Sequence, residues 1–343
     1  MQNAPIVSVV IATFNSARYV DAALASVLGQ TMSSIEVIVV DDCSSDKTLT
    51  IVEKHVRDDK RVRLVQFERN CGPATARNHG IELAQGEWLA VLDSDDLFAP
   101  DRLDVLIAVA KRERADIVTD NPVVFSEGNG AGATFFLDKG TPAGPLSLLS
   151  YVSGTVLYNE GADYGYLKPI FRLDALRRLG LRYNPELRIA EDDDLIVRML
   201  LAGARYWLEP TATYFYRKHN ASTSYRLSAA NAAAIVAAAG ALTRTVRSTM
   251  PANISSAFAR REAAMTRAAI FAELVDSLKS RRFGRTVAIA FRSPQALALL
   301  SMPTAAALQR ICPAWLNRPA PVGNPDAIAA VQRLAIRAVS LDG

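Results

Sequence analysis

The chain has 343 residues, half of them apolar and 22% charged, with a formal net charge of +4. This is a globular composition, with enough apolar sequence for one large domain or two ordinary ones. Its three cysteines, Cys43, Cys71 and Cys312, are odd in number and widely spaced, which excludes a disulfide framework or a C-x-x-C metal pattern and suits a reducing cytoplasm.

The opening residues carry no basic stretch, apolar run or cleavage site, so no signal peptide is expected. Residues 6–12 are a β-branched run suited to a buried parallel strand, and a loop through Thr13, Phe14 and Asn15 feeds a helix over 17–28. A second strand over 35–40 ends in Asp41-Asp42-Cys43-Ser-Ser-Asp46 before a helix over 47–57. A third strand spans 62–66, and Gly72-Pro73 opens a helix carrying Ala76, Arg77, Asn78 and Ile81. Next, Trp88-Leu-Ala-Val-Leu92 runs without charge into Asp93-Ser-Asp95-Asp96. It reads as a central strand whose end emerges at a crevice, where open α/β sheets bind their ligands. Three carboxylates this close raise one another's pKa and are most simply explained by a cation between them, although Asp and Ser also serve as ordinary turn and helix-cap residues. A fifth strand is expected over 116–119.

Strands alternating with helices of about a dozen residues imply an α/β fold with a parallel sheet covered on both faces. Neither G-x-G-x-x-G nor a P-loop occurs, so any nucleotide must be held by a metal and side chains. Residues 122–165 are punctuated by Gly and Pro and read as a loop region with one short helix. Lys168-Pro-Ile-Phe-Arg172 then leads to a helix through Leu179. Glu191, Asp192, Asp193 and Asp194 open another, where acids are favoured by the macrodipole or supply a catalytic base. Two short strands over 206–210 and 213–217 precede His219, which by default is a surface residue rather than a ligand. Beyond Tyr225 the chain turns to Ala-rich helices, with a last short one over 326–339. No stretch reaches about 18 strongly apolar residues, so no membrane-spanning helix is expected. Residues 241–343 hold 14 Arg and Lys against 5 Asp and Glu, leaving −5 on the first 240. Arg alternates there with apolar residues at helical spacing, which suits either an anionic membrane surface or a solvated helical cap. Nothing in the pattern points to nucleic acid.

Taken together, Val7-Ser-Val-Val-Ile-Ala-Thr-Phe-Asn15, Val39 to Asp46, Arg77-Asn78-His-Gly80, Leu92 to Asp96, Glu191-Asp192 and Tyr216 to Ser222 resemble family 2 of the inverting glycosyltransferases. Within it the chain is similar to bacterial succinoglycan-type exopolysaccharide transferases. The resemblance implies a GT-A fold, with a Rossmann-like, mostly parallel sheet as the catalytic domain over residues 1–225 and a basic helical region over 226–343. It further implies a UDP-sugar donor, UDP-glucose above all, and a lipid-linked saccharide acceptor met by a peripheral protein on the inner face of the cell membrane. Thr13, Phe14, Asn15 and Asp42 would contact the donor, Phe14 against the base and Asp42 on the uracil. Arg77 would place a cation near the donor, with Asn78 as the alternative match, and Asp93 would hold the ribose or assist a metal. Asp95 would bind Mn²⁺ or Mg²⁺ directly, and His219 would complete the metal or diphosphate site. Asp192 would be the catalytic base and Glu191 would orient it or bind acceptor hydroxyls, with Asp193 one residue away as an alternative base. Cys43 stands where the family pattern has Gly.

The chemistry asks for these residue types in its own right. A divalent ion held by oxygen ligands stabilises a departing nucleoside diphosphate, and a carboxylate takes the proton of an acceptor hydroxyl that is otherwise a poor nucleophile. Direct displacement inverts the anomeric centre. A nucleotidyltransferase making an activated sugar would share the Asp-x-Asp site, but its first loop should be Gly-rich and basic, not Ala12-Thr-Phe-Asn15. A non-catalytic carbohydrate- or membrane-binding domain is opposed by the intact set of acids and His219.

Overall fold

The computed structural model describes residues 4–126, 134–137, 141–155, 164–219 and 227–293. The expected helix over 326–339, Cys312 and residues 220–222 lie outside them. The first half follows the expected alternation of strands and helices: β1 (Val7–Thr13), α1 (Val20–Leu28), β2 (Ile35–Asp41), α2 (Thr48–Asp58), β3 (Val62–Gln66), α3 (Pro73–Leu83) and β4 (Trp88–Val91). Helix α1 starts at Val20 rather than 17 because the Ser16 carbonyl accepts from both Tyr19 and Val20 N–H at 2.9 Å and closes a turn first. After β4 come β5 (Leu97–Phe98), α4 (Arg102–Glu113) and β6 (Ile117–Thr119).

The stretch expected to be loop contributes β7 (Val123–Ser126), β8 (Thr134–Phe135), β9 (Gly144–Pro145) and α5 (Leu148–Gly154). Then follow β10 (Ile170–Arg172), α6 (Leu173–Arg178), α7 (Glu191–Leu201), β11 (Tyr206–Leu208) and β12 (Tyr214–Lys218). The larger sheet has the order β3-β2-β1-β4-β10-β6-β11-β9, and a smaller one has β5-β12-β7-β8. Strands β3, β2, β1 and β4 are parallel, but β10 enters antiparallel between β4 and β6. The sheet is therefore mixed. From β1 the chain winds outward through β2 and β3 and returns on the other side at β4, so the crevice between the ends of β1 and β4 is a topological switch point.

Alternate residues of the strands bury into two cores. Val10, Ile38, Leu89 and Ile117 face one layer of helices, while Val9, Ile11, Val37, Val39 and Ala90 face the other. Helix α3 lies so close over β1 that a Cβ on Gly80 would sit 2.5 Å from Val10 Cγ1. Gly80→Ala is expected to cost about 1–3 kcal/mol by overpacking, seen as a lower thermal midpoint; an unchanged midpoint would show that α3 can lift away.

Three helices follow: α8 (Ala229–Thr249), α9 (Ala252–Lys279) and α10 (Phe283–Arg292). By length and composition α8 is apolar enough to cross a membrane, contrary to the sequence expectation, yet its Ala232, Ile235, Ala239 and Val246 are buried in this fold. Val246, with Ala257 and Phe258 of α9, joins the same cluster as Val10 and Leu89 of the sheet. The core thus runs across the boundary expected at residue 225. Helix α10 differs, because it buries none of its residues and exposes Phe283, Val287 and Phe291 beside Arg282, Arg285 and Arg292.

Candidate active site

A cavity of about 510 Å³ opens at the switch point. Its walls include Thr13, Phe14, Asn15, Asp42, Arg77, Asp93, Asp95, Glu191, Asp192 and His219, drawn from every part of the first 219 residues. The loops after β1 and β4 are joined by a 2.7 Å hydrogen bond between the Ser16 and Ser94 hydroxyls. Phe14 is 48% exposed at this opening, unusual for a large apolar side chain. Asn15 takes a left-handed backbone, φ +49°, and its Oδ1 accepts from Ser45 N–H at 2.8 Å, tying the loop after β1 to that after β2. Cys43 in that second loop has φ +68°, so the position where the family pattern has Gly does require left-handed backbone, and Cys43 adopts it against a steric cost of about 1–2 kcal/mol. Asp42 accepts from Cys71 N–H at 2.6 Å and Gly72 N–H at 2.8 Å, which fixes the entry to α3. Each carboxylate oxygen keeps a second lone pair.

The floor is an ionic cluster. Arg77, buried on α3, donates to Asp93 Oδ1 at 2.6 Å, to Glu191 Oε1, and at 3.4 Å to Asp192 Oδ1. Lys168 Nζ lies 2.8 Å from Asp93 Oδ2 and 2.9 Å from Asp192 Oδ2. Two cations therefore bridge the same pair of carboxylates, one through each oxygen. Burial alone would raise the pKa of both acids, but Lys168 and Arg77 hold Asp93 well below the usual carboxylate range, and Arg77 and Lys168 hold Asp192 below it. Both stay ionised. Burial raises Glu191 despite Arg77.

The three acids after β4 do not share one cation. Asp93 faces Arg77 and Lys168, Asp95 Oδ2 pairs with His219 Nε2 at 2.7 Å, and Asp96 turns inward. Asp96 accepts from the Tyr214 hydroxyl and the Arg217 N–H, each at 2.7 Å, and burial followed by the charges of Asp95 and Asp93 pushes its pKa well up. The three carboxylates thus meet three different sets of partners, and both Asp93 oxygens are engaged by side-chain cations. Among the described residues no group of three or more His, Cys, Asp or Glu could hold a metal. Asp95 and His219 do line the cavity together, and one carboxylate with one imidazole fits a divalent ion whose other ligands are water and substrate phosphate.

The four acids opening α7 separate in the same way. Glu191 and Asp192 meet Arg77 and Lys168, Asp193 meets Arg261 of α9, and Asp194 meets Arg198 one turn on. Burial raises Asp193 in spite of Arg261. The helix enters through Ala190 with φ +65°, a strained backbone at its N-terminus that no side chain caps. Asn78 is not a cavity residue: its carboxamide accepts from Tyr183 N–H and donates to Tyr183 C=O, both at 2.8 Å, and so anchors the strand of chain leading to α7. That replaces the donor contact expected of Asn78. Lys168 is a cavity residue that sequence reasoning did not single out; its one signal was a cation two residues before an apolar strand.

A model of glycosyl transferase family 2 matches residues 8–138. The chain is 38% identical over 314 residues to the succinoglycan biosynthesis protein ExoO of Rhizobium meliloti strain 1021, covering 91% of this chain and 89% of that one. The solved structure of S. aureus TarS 1–349 in complex with UDP-GlcNAc superposes with a TM-score of 0.55 at 25% identity, over 68% of this chain and 65% of that 1–349 chain. The mannosyltransferase PcManGT of Pyrobaculum calidifontis, solved with GDP-Man and Mn²⁺, shares the fold with a TM-score of 0.56 at 18% identity, over 99% and 87% of the two chains. The mixed sheet, the acid-lined switch point and likeness to ExoO over nine-tenths of the chain place this protein in glycosyltransferase family 2, as an enzyme with a GT-A-like fold.

Proposed function

We propose that the protein transfers a hexose, glucose by preference, from a UDP-sugar to a lipid-linked saccharide in exopolysaccharide synthesis, with inversion to a β-linkage. The observation that carries this reading is the convergence of Asp95, His219, Asp93 and Asp192 on one cavity, with Phe14 exposed at its opening. The likeness to ExoO supports the pathway, and that to TarS with UDP-GlcNAc supports a uridine donor.

In this reading Phe14 lies against the uracil ring and Asp42, already fixed by two backbone N–H groups, accepts from it. Asp95 and His219 hold Mn²⁺ or Mg²⁺, which when bound stabilises negative charge on the departing diphosphate. Asp192 takes the proton of the acceptor hydroxyl as that oxygen attacks the anomeric carbon. Glu191, shared with Arg77, helps hold it in place. The exposed apolar and basic side chains of α10 support a peripheral contact with the inner membrane surface, where the lipid-linked acceptor would be met.

Calorimetry with UDP tests the nucleotide and the metal together. The wild type is expected to bind UDP at least tenfold more tightly with Mn²⁺ than with chelator, and Asp95→Ala to lose that difference. Equal affinity in all conditions would remove Asp95 as a ligand, and no binding of UDP at all would remove the uridine donor.

A further inference from the structure

We infer that Lys168 is a positioning residue for the transfer, locking Asp192 in the orientation from which it takes the acceptor proton; the inference rests on Asp192 being the base. Carboxylates rotate readily about their last bond, so a base held at one oxygen sweeps a range of directions. Asp192 is held at both oxygens, but unequally. Arg77 reaches Oδ1 only at 3.4 Å and gives its close contacts to Glu191 and to Asp93 at 2.6 Å. Lys168 supplies the close contact, 2.9 Å to Oδ2, and fastens the same nitrogen to Asp93 at 2.8 Å.

Lys168 is itself fixed from behind. Its carbonyl accepts from Arg102 at 2.5 Å, and Arg102 is fully buried, paired with Asp120 at 3.0 Å and packed against the rings of Phe98 and Tyr214. Two residues later the chain is clamped as β10 between β4 and β6. The antiparallel strand that interrupts the parallel order thus delivers a cation, on a rigid stem, to the gap between the donor side of the cavity and the base. With Lys168 removed, Asp192 loses its close cation and keeps the long Arg77 contact beside the Tyr183 hydroxyl, and a displacement of about 1 Å in a reacting group lowers turnover by about 10²-fold.

The test compares Lys168→Met, Lys168→Arg, Asp192→Asn and the double variant Asp192→Asn/Lys168→Met, with UDP-glucose turnover to UDP and UDP affinity measured in Mn²⁺. The expected result is a kcat about 10²-fold lower for Lys168→Met, with the donor KM and the UDP affinity within threefold of wild type. Lys168→Arg should regain at least tenfold of the loss, and the double variant should be little slower than Asp192→Asn alone, since one residue acts through the other. A UDP affinity weakened tenfold with kcat retained would make Lys168 a diphosphate contact and overturn the inference. Loss without rescue by Arg, alongside a lowered thermal midpoint, would reduce it to a structural ion pair. If Asp192→Asn turns over normally, the assignment of the base fails and this role with it. If that variant is inactive while Lys168→Met is unimpaired, only the role of Lys168 fails.

Discussion

The Asp192→Asn variant is expected to bind UDP and Mn²⁺ as the wild type does and to transfer sugar about 10²–10⁴ times more slowly. The substitution keeps the shape of the side chain and removes its capacity to accept a proton. Glu191, Asp192 and Asp193 all line the cavity, and of the three Asp192 suits the task because its pKa lies below the usual carboxylate range, burial being outweighed by Arg77 and Lys168, whereas burial raises the other two. It is therefore ionised whenever the enzyme is folded near neutrality. The rival, Asp193, is engaged by Arg261, a buried side chain of α9 that ties the catalytic helix to the C-terminal helices. Asp193→Asn should accordingly lower the thermal midpoint more than the turnover. Steady-state kcat, read beside a calorimetric UDP affinity, separates the two acids, and near-normal turnover by Asp192→Asn would withdraw it as the base.

What was legible in the sequence, and what was not, follows from the range of the forces involved. Apolar runs marked β1, β2 and β4, and the acids that follow β2 and β4 marked the edge of the sheet at which the cavity opens, because strand propensity and the burial of both sheet faces act locally. The direction of β10 was not readable: a three-residue strand looks the same parallel or antiparallel, and its place was decided by pairing with β4 and β6. The acids could be found as clusters, but their partners lie far along the chain. Arg77 and Glu191 are 114 residues apart, Arg261 and Asp193 are 68 apart, and His219 and Asp95 are 124 apart. Asp93, Asp95 and Asp96 share one short stretch and end in three different surroundings, which spacing alone does not reveal. Asn78 shows the same limit from the other side, since its motif neighbour Arg77 enters the cavity while Asn78 turns to the Tyr183 backbone.

Arg77→Met is expected to produce the largest change in stability, about 3–5 kcal/mol at pH 7.5, because it leaves Glu191 and Asp192 buried, and Asp93 half-buried beside them, with only Lys168 among them. The dependence on pH distinguishes this charge effect from a packing defect. In the wild type, Asp93 and Asp192 have folded pKa values below their unfolded ones, so their contribution is fully present above pH about 4 and is lost only as pH falls through the folded values. Between pH 7.5 and 5.5 these two groups leave wild-type stability unchanged. Glu191 acts with the opposite sign in both proteins, and more strongly in the variant. Glu191, which burial raises even beside Arg77, loses its close counterion, so its folded pKa rises further above the unfolded value and the folded state takes up a proton first. The variant therefore gains more from a fall in pH than the wild type does, and the gap between the two proteins should narrow between pH 7.5 and 5.5. Denaturant midpoints at the two pH values measure it. A gap that stays constant would mean that Arg77 acts through its packing on the Tyr183 ring, 5.4 Å away, and not through the acids it joins.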